Sequence, residues 1–595
     1  MWSIREFTVM RWELMVALIF FRILNALMVR TSFTPDEFWQ GPEPAHLLAF
    51  GKGHLTWEWE PSARIRGFTH PLIFAGLYKA LKLMASSAHS GWDSRWAVAH
   101  SPKLFQGLMA GVCDYCAFGL ALRAFGAAAA RWALLFQVLS WFNIYCLVRP
   151  YSNSAEAVLA TAALFCWAPF LLTTSGPGSK APSLDSAARR GGLGESSALL
   201  LAALCVAIRP TSAALWTVVG LVRLAKLPPR RWSRYLALEV LPPVAVVVGA
   251  SFCLDSVLYG ATTLVPLNFL RFNVLEGRSR IFGEQAWHWN FSQGLPAVLG
   301  VALPAALWGF CRSAAGDRRL GWFAVWFLVY HSTSPHKEFR FLLPVLPIAH
   351  AYAGQAVASF VAAGSSASPP PSPEDEGAKD AVGSPSGSRP RRSRRRALIV
   401  VFLLVVLHVP AAVYLSVWHQ SGALSAVDAV ADRIAAAAKS REDGAIGRTD
   451  DGRVTVTVHF LMPCHAAPLH SHLHFRDVET DLRFLDCSPT NRALPEGSES
   501  DRFQADPLGF LEIFYEGGRG GKGRGTAASP HPPDLAIMYS THLEHPGVDR
   551  FLKQMGLVVV KTLFNAHVNG DADCDDTHGS VAILERTGGD SSGSA

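Results

Sequence analysis

Apolar and polar positions along the chain fall into long blocks rather than an amphipathic rhythm. Apolar runs of about 17–22 residues, lacking a polar helical face, recur at 14–30, 103–124, 132–149, 155–173, 194–208, 211–227, 235–254, 294–311, 319–332, 341–363 and 397–418, those at 194–208 and 319–332 being the shortest. Crossing ~30 Å of hydrocarbon takes about 20 such residues. The pattern therefore predicts a polytopic α-helical membrane protein with about 11 transmembrane helices (10–12). A further piece, "PLIFAGLYKALKLMA" at 71–85, is shorter and carries Lys79 and Lys82, which suits a helix lying in the interface. "LMVALIFFRILNALMVR" has no small-residue cleavage region behind it and reads as the first span.

Beyond the last run the pattern changes. "ALSAVDAVADRIAAAAKS" has helical spacing, whereas "VTVTVHFL", "DLAIMYS", "GLVVVKTLF" and "SVAILE" alternate and are rich in β-branched residues. Together they predict a small C-terminal α/β domain over 419–595. The expected organisation is a transmembrane module over 1–363 with a first extracytoplasmic loop at 31–102, a disordered basic linker at 364–396, a final helix at 397–418 and then this domain.

Composition agrees with the blocks: of 595 residues, 50% are hydrophobic and only 17% charged. The net charge of +7 could suggest nucleic acid, but much of it is "SRPRRSRRR" at 388–396, beside an apolar run, where a cytoplasmic topology anchor is expected. With 71–85 not crossing, the loops between 123 and 396 hold twenty Lys and Arg on one side and seven on the other. The positive-inside rule makes the first side cytoplasmic and the second luminal. The unusual loops, "FTPDEFWQGPEPAH", "VRPYSNSAE", "IRPTSA" and "HKEFR", all fall on the luminal side, as does the C-terminal domain.

Ionisable groups beside hydrocarbon cost about 2.5–3.5 kcal/mol each at a helix centre, so they point to function or to an interface. Asp36 and Glu37 follow the first span, and Pro35 before them starts a turn or helix. The bland role for Asp36 is the first turn of that helix; the functional one is a general base at the membrane surface. Trp39 would seat the pair at the interface. Arg149, Arg209, His336, Lys337 and Arg340 close five luminal positions, a set that suits a phosphate diester; the alternative is snorkelling, or pairing with Glu338 or Glu156. Asn153 and Glu338 are supporting candidates. Seven of ten cysteines lie in or beside apolar runs; Cys464, Cys487 and Cys574 lie in the polar third, where a disulfide could form, with Cys464 and Cys487 the candidate pair. "PCHAAPLHSHLHF" lacks the paired spacing of structural zinc sites, and "DADCDDTHG" lacks the glycine and closing Glu of a calcium loop, so no metal is expected.

"TSFTPDEFWQ", "TWEWEP", "THPLIF", "RPYSNSAEAVL" and "HKEFRFLLPVLP", in this order, resemble glycosyltransferase family 22, the GT-C-type mannosyltransferases that use dolichyl-phosphate mannose. "FLMPCHAAPLHSHLHF" followed by "LRFLDCSP" is similar to the members acting on the glycosylphosphatidylinositol (GPI) anchor. One departure is Phe38, where relatives often have Tyr. The resemblance implies an inverting α1,2-mannosyltransferase of the endoplasmic-reticulum membrane with a luminal site, adding a third mannose to the GPI precursor. It implies Asp36 as base with Glu37 supporting, and His336, Lys337, Arg340, Arg149 and Arg209 on the donor phosphate. Dolichyl-phosphate mannose is then a co-substrate, and neither cofactor nor nucleic acid is expected. The alternatives are a sister luminal mannosyltransferase (of N-glycan assembly, or adding a fourth GPI mannose) and, outside enzymes, a transporter. A transporter would place ionisable groups at the membrane midplane.

Overall fold

The computed structural model describes residues 12–88, 94–171, 184–314, 317–363, 388–439, 448–450, 453–492, 495–516, 531–567 and 579–587. Most of the basic linker, Cys574 and residues 571–578 of "DADCDDTHG" lie outside them. The chain forms two compact units, residues 1–26 with 105–413, and residues 27–104 with 414–595. This grouping differs from the division at 363 and 419 expected from composition.

The first unit is helical. Within the loop expected at 123–131 the helical stretch Arg95–Leu139 breaks at Gly126, φ +83°, so that two helices meet across a kink. "FGAAAAR" is rich in the best helix former, and glycine supplies the break without a Cβ penalty. Ala121, Ala130, Ala133 and Ala351 are buried around Phe118, small side chains that let helices approach closely. The expected span 294–311 is instead two helices, Asn290–Leu299 and Ala302–Arg312, bent by 111°. Gly300 lies at the break with φ +49°. Among the described residues four helical stretches are long and apolar enough to cross a membrane, Arg95–Leu139, Pro229–Tyr259, Phe339–Ala362 and Arg391–Ala437, or five with the bent pair taken as one.

Arg22, inside the helix Trp12–Met28, is fully buried and has a partner for every guanidinium N–H. It donates to Asp114 Oδ2 at 2.6 Å and Oδ1 at 3.1 Å, to Asn25 Oδ1 at 3.1 Å, and to the carbonyls of Gln137 and Asn143 at 3.1 and 3.3 Å. A buried charge is tolerable only when paired and hydrogen-bonded in this way.

The second unit holds a six-stranded mixed sheet: β1 (Arg448–Asp450), β2 (Arg453–Leu461), β3 (Val478–Phe484), β4 (Leu535–Tyr539), β5 (Leu557–Phe564) and β6 (Ser580–Arg586), in the order β1-β2-β4-β6-β5 with β3 also on β2. β2 runs parallel to β3 and β4; the other pairings are antiparallel. Alternation sorts the side chains. Val456, Val458, Phe460, Ile537 and Ile583 face one core with Ala426, Val430 and Ile434 of the helix Gly422–Lys439. Ala536, Met538, Ala582 and Leu584 face the other, with Phe510 and Leu552 from two further helices. Strands buried on both faces read as near-continuous apolar runs, as β4 and β6 do. Phe38 and Trp39 belong to the first of these cores, which is why residues 27–104 group with the C-terminal residues.

Candidate active site

In the second unit the turn begun by Pro35 opens a short helix, Asp36–Trp39. Its apolar residues fix it: the Trp39 indole Nε1 donates to the Ala467 carbonyl at 3.1 Å, and its ring lies 4.3 Å from His465 and 4.9 Å from Phe484. Phe38 meets His472 edge-on at 5.2 Å. Asp36 is half-buried and Glu37 buried. His465 is held with φ +64°, an uncommon conformation for a residue with a side chain. The Cys464–Cys487 disulfide, Cα–Cα 5.9 Å, anchors this turn. Burial pushes the His465 imidazole down to about 4 against the opposing pull of Asp36, so it sits beside the carboxylates as a neutral ring. Cys464, His465 and Cys487 bring three potential metal-ligating atoms within 4.8 Å of one another, but sulfurs joined to each other offer no thiolate.

A further carboxylate belongs to this group. Glu58, in "TWEWEP", is buried, accepts from Arg66 Nε at 2.8 Å and from Gln40 Nε2 at 3.3 Å. Burial raises its pKa, Asp36 raises it further, and Arg66 opposes both. The sequence reading used this segment only as a family motif. The available signal was an acid between two tryptophans; its pairing with Arg66 comes from the local fold.

In the first unit the segments 149–156, 209–212 and 336–341 converge. Arg209 and Arg340 lie 5.3 and 5.7 Å from the centroid of the same ring, Phe341, and Arg340 is 5.2 Å from that of Tyr151. Arg149 is fully buried, donates to the Tyr145 carbonyl at 2.8 Å and packs over the Tyr145 ring. Two predicted cations have carboxylate partners. Arg340 clamps Glu338 through two hydrogen bonds of 2.6 Å, with His336 Nε2 2.9 Å from the same carboxylate, and Arg209 lies 2.9 Å from Glu156. Burial pushes the Glu338 carboxyl up, but Arg340 and His336 together outweigh it and hold it well below the usual range. The pairing offered as the alternative for these cations is thus present. Asn153 is buried, and neither its amide oxygen nor its nitrogen has a hydrogen-bond partner.

Lys337 bonds to backbone. Its ammonium donates to the carbonyls of Ser334, Gln285 and Pro335 at 2.5, 3.0 and 3.5 Å, and its side chain is buried. An ammonium has three N–H donors. Here they hold the loop, so Lys337 positions the "HKEFR" segment.

Helices able to cross a membrane, a carboxylate turn in one unit and buried arginines in the other are features of a membrane glycosyltransferase. The solved structure of ArnT from Cupriavidus metallidurans bound to undecaprenyl phosphate matches with a TM-score of 0.51 at 14% identity, covering 96% of this chain and 97% of that one. The chain belongs to the Alg9-like mannosyltransferase family, whose family model matches residues 13–474. It is 34% identical to Mannosyltransferase APTG1 of Arabidopsis thaliana over 93% of this chain and 89% of that one. It is 32% identical to GPI mannosyltransferase 3 of Yarrowia lipolytica, over 94% and 95%. With human GPI alpha-1,2-mannosyltransferase 3 the identity is 31%, over 82% and 75%.

Proposed function

We propose that this mannosyltransferase adds the third mannose, in α1,2 linkage, to the GPI precursor at the luminal face of the endoplasmic reticulum, using dolichyl-phosphate mannose. The observation that carries the reading is the shared identity, near 30%, with relatives of that name from yeast to human over most of both chains. About 11 spans and a luminal C-terminal domain go with it.

The chemistry is a single inverting displacement. Asp36 takes the proton of the acceptor hydroxyl, the oxygen forms its bond to the anomeric carbon, and the bond from that carbon to the phosphate oxygen breaks. The electron pair leaves on dolichyl phosphate. One base suffices for inversion, because no glycosyl-enzyme intermediate forms. Glu37 supports Asp36 from the next position, and Glu58 belongs to the same group of carboxylates. A phosphate is stable when expelled, so Arg149, Arg209, Arg340 and His336 can replace a general acid, and the step calls for no metal. Asn153, with both amide atoms lacking a partner, offers a donor and an acceptor to the same substrate.

The test is complementation of cells that lack their own third GPI mannosyltransferase. Wild type should clear a two-mannose lipid intermediate, and Asp36→Asn at equal expression should leave it in place, with at least ~100-fold less transfer in membranes. A well-expressed wild type that leaves the intermediate untouched refutes the assigned step. An Asn variant as active as wild type removes Asp36 as base.

A further inference from the structure

A second site lies in the same unit, away from the carboxylates. Between the helices Pro42–Phe50 and Thr69–Ala88 and the segment 470–480 is a cavity of about 430 Å³, a size that suits a small ligand. None of Asp36, Glu37 and Glu58 lines it. Its cations are Lys52, Lys82 and Arg476, and among the described residues no carboxylate lines it. Glu479, 3.6 Å from Lys52, is the acid paired at its edge.

The imidazoles His46, His470 and His474 also line it, and their hydrogen bonds fix what they offer. His46 Nδ1 lies 2.5 Å from the Lys52 carbonyl oxygen. A carbonyl only accepts, so Nδ1 carries the hydrogen and Nε2 of the neutral ring is an acceptor. That nitrogen is 2.8 Å from His474 Nδ1, which must donate to it. The chain of bonds ends at His474 Nε2, a lone pair that is buried without a partner, and His470 Nδ1 is likewise buried and unpartnered. His470 is 9% exposed, and Glu43 holds the turn beneath it by accepting from the Leu469 and Ser471 amides at 2.8 and 3.0 Å. Burial, helped by neighbouring cations and imidazoles, pushes His470 and His474 down to about 4, so both are uncharged at neutral pH. Buried polar atoms without a partner call for a ligand or water. The cations call for negative charge, and the neutral imidazoles for hydroxyl donors. A metal ion fits poorly: three cations line the cavity, and two of the three imidazoles are hydrogen-bonded to each other.

We infer that this cavity binds the phosphate ester of a polyhydroxylated headgroup, with Lys52, Lys82 and Arg476 on the phosphate oxygens and His470 and His474 accepting its hydroxyls. Two sources carry that chemistry: a bulk phospholipid headgroup and, resting on the function proposed above, the phosphoinositol end of the acceptor glycolipid.

The experiment uses the full-length protein in uncharged detergent, titrated calorimetrically with dioctanoyl-phosphatidylinositol, dioctanoylglycerol or zinc chloride. Wild type should bind the inositol lipid and not the glycerol. Lys82→Gln/Arg476→Gln should weaken binding by about tenfold or more, and Lys82→Arg/Arg476→Lys should restore it. Both side chains are exposed, and an unchanged thermal midpoint shows the fold intact. Equal binding by wild type and the Gln variant, equal affinity for both lipids, or stoichiometric zinc competing with the inositol lipid each overturns the site. The source is read from transfer to a phosphate-free alkyl dimannoside and to a phosphoinositol-bearing acceptor. A KM rise in the Gln variant confined to the second assigns the cavity to the acceptor; weakened lipid binding with both KM values unchanged assigns it to a bulk lipid. Wild type inactive on both acceptors counts against the proposed function and leaves the binding result standing.

Discussion

At the scale of single residues, the sequence showed which charges were unusual and offered Glu338 and Glu156 as partners, but not which cation takes which. "HKEFR" announced an ionic loop, yet which of its cations meets Glu338 and which meets backbone depends on φ and ψ along five residues. Lys337 was read as a phosphate contact because a lysine in an apolar setting invites an anion; three carbonyls satisfy it equally well. Arg22 was hidden for the opposite reason. Its partners Asp114, Gln137 and Asn143 are over 90 residues away, and nothing local marks them. Removing one partner of such a buried pair leaves the other charge stranded, at about 3–5 kcal/mol. Arg22→Met should therefore lower the thermal midpoint of the purified protein sharply, and adding Asp114→Asn should recover part of the loss. An Arg22→Met midpoint equal to wild type would show that the network contributes nothing net.

At the scale of elements, legibility followed side-chain chemistry. β2, β4, β5 and β6 were visible from their own residues: β4 and β6 as short apolar runs buried on both faces, β2 and β5 as β-branched runs. β3, "VETDLRF", was not, because four of its seven residues are polar or charged and its place depends on pairing with β2. The break at Gly300 was also invisible: a glycine within an apolar run gives no sign that the chain turns by 111° there. The turn carrying His465 makes a sharper test. Its disulfide closes a sequence separation of 23, worth ~3 kcal/mol by chain entropy. Cys464→Ser/Cys487→Ser should lose about that much stability in denaturant unfolding. It should also lower transfer, since His465 packs on Trp39 next to Asp36. Full activity with lowered stability would confine the disulfide to a structural role.

At the scale of the whole molecule, the charge asymmetry of the loops was legible from composition, whereas the grouping of residues 27–104 with the C-terminal residues was not. That grouping has a consequence in solution. His46, His465, His470 and His474 are each held at about 4 and His472 well below 6.5, chiefly by burial, with Lys52, Lys82, Lys103 and Arg95 lowering and Glu43, Asp36 and Asp486 raising individual rings. The unfolded chain takes up these protons near pH 6.5 and the folded one does not. Stability is then full above about pH 6.5 and falls progressively toward pH 4. Thermal midpoints measured from pH 7.5 down to 5 should decline, and His470→Asn/His474→Asn should flatten the decline. A midpoint independent of pH over that range would contradict the buried, neutral state of these rings.

Distance along the chain is also time during synthesis. Trp39 and Glu43 find their partners Ala467 and Leu469 only 428 and 426 positions later. At about 5–20 residues per second, that is a delay of roughly 20–85 s. Throughout it, a tryptophan, a phenylalanine and a carboxylate destined for burial stay uncovered while helix after helix is made behind them. The segment that carries the proposed base is made long before the residues that complete it. A newly made chain is therefore long exposed to chaperones, and to error, at the segment where its chemistry is proposed to reside.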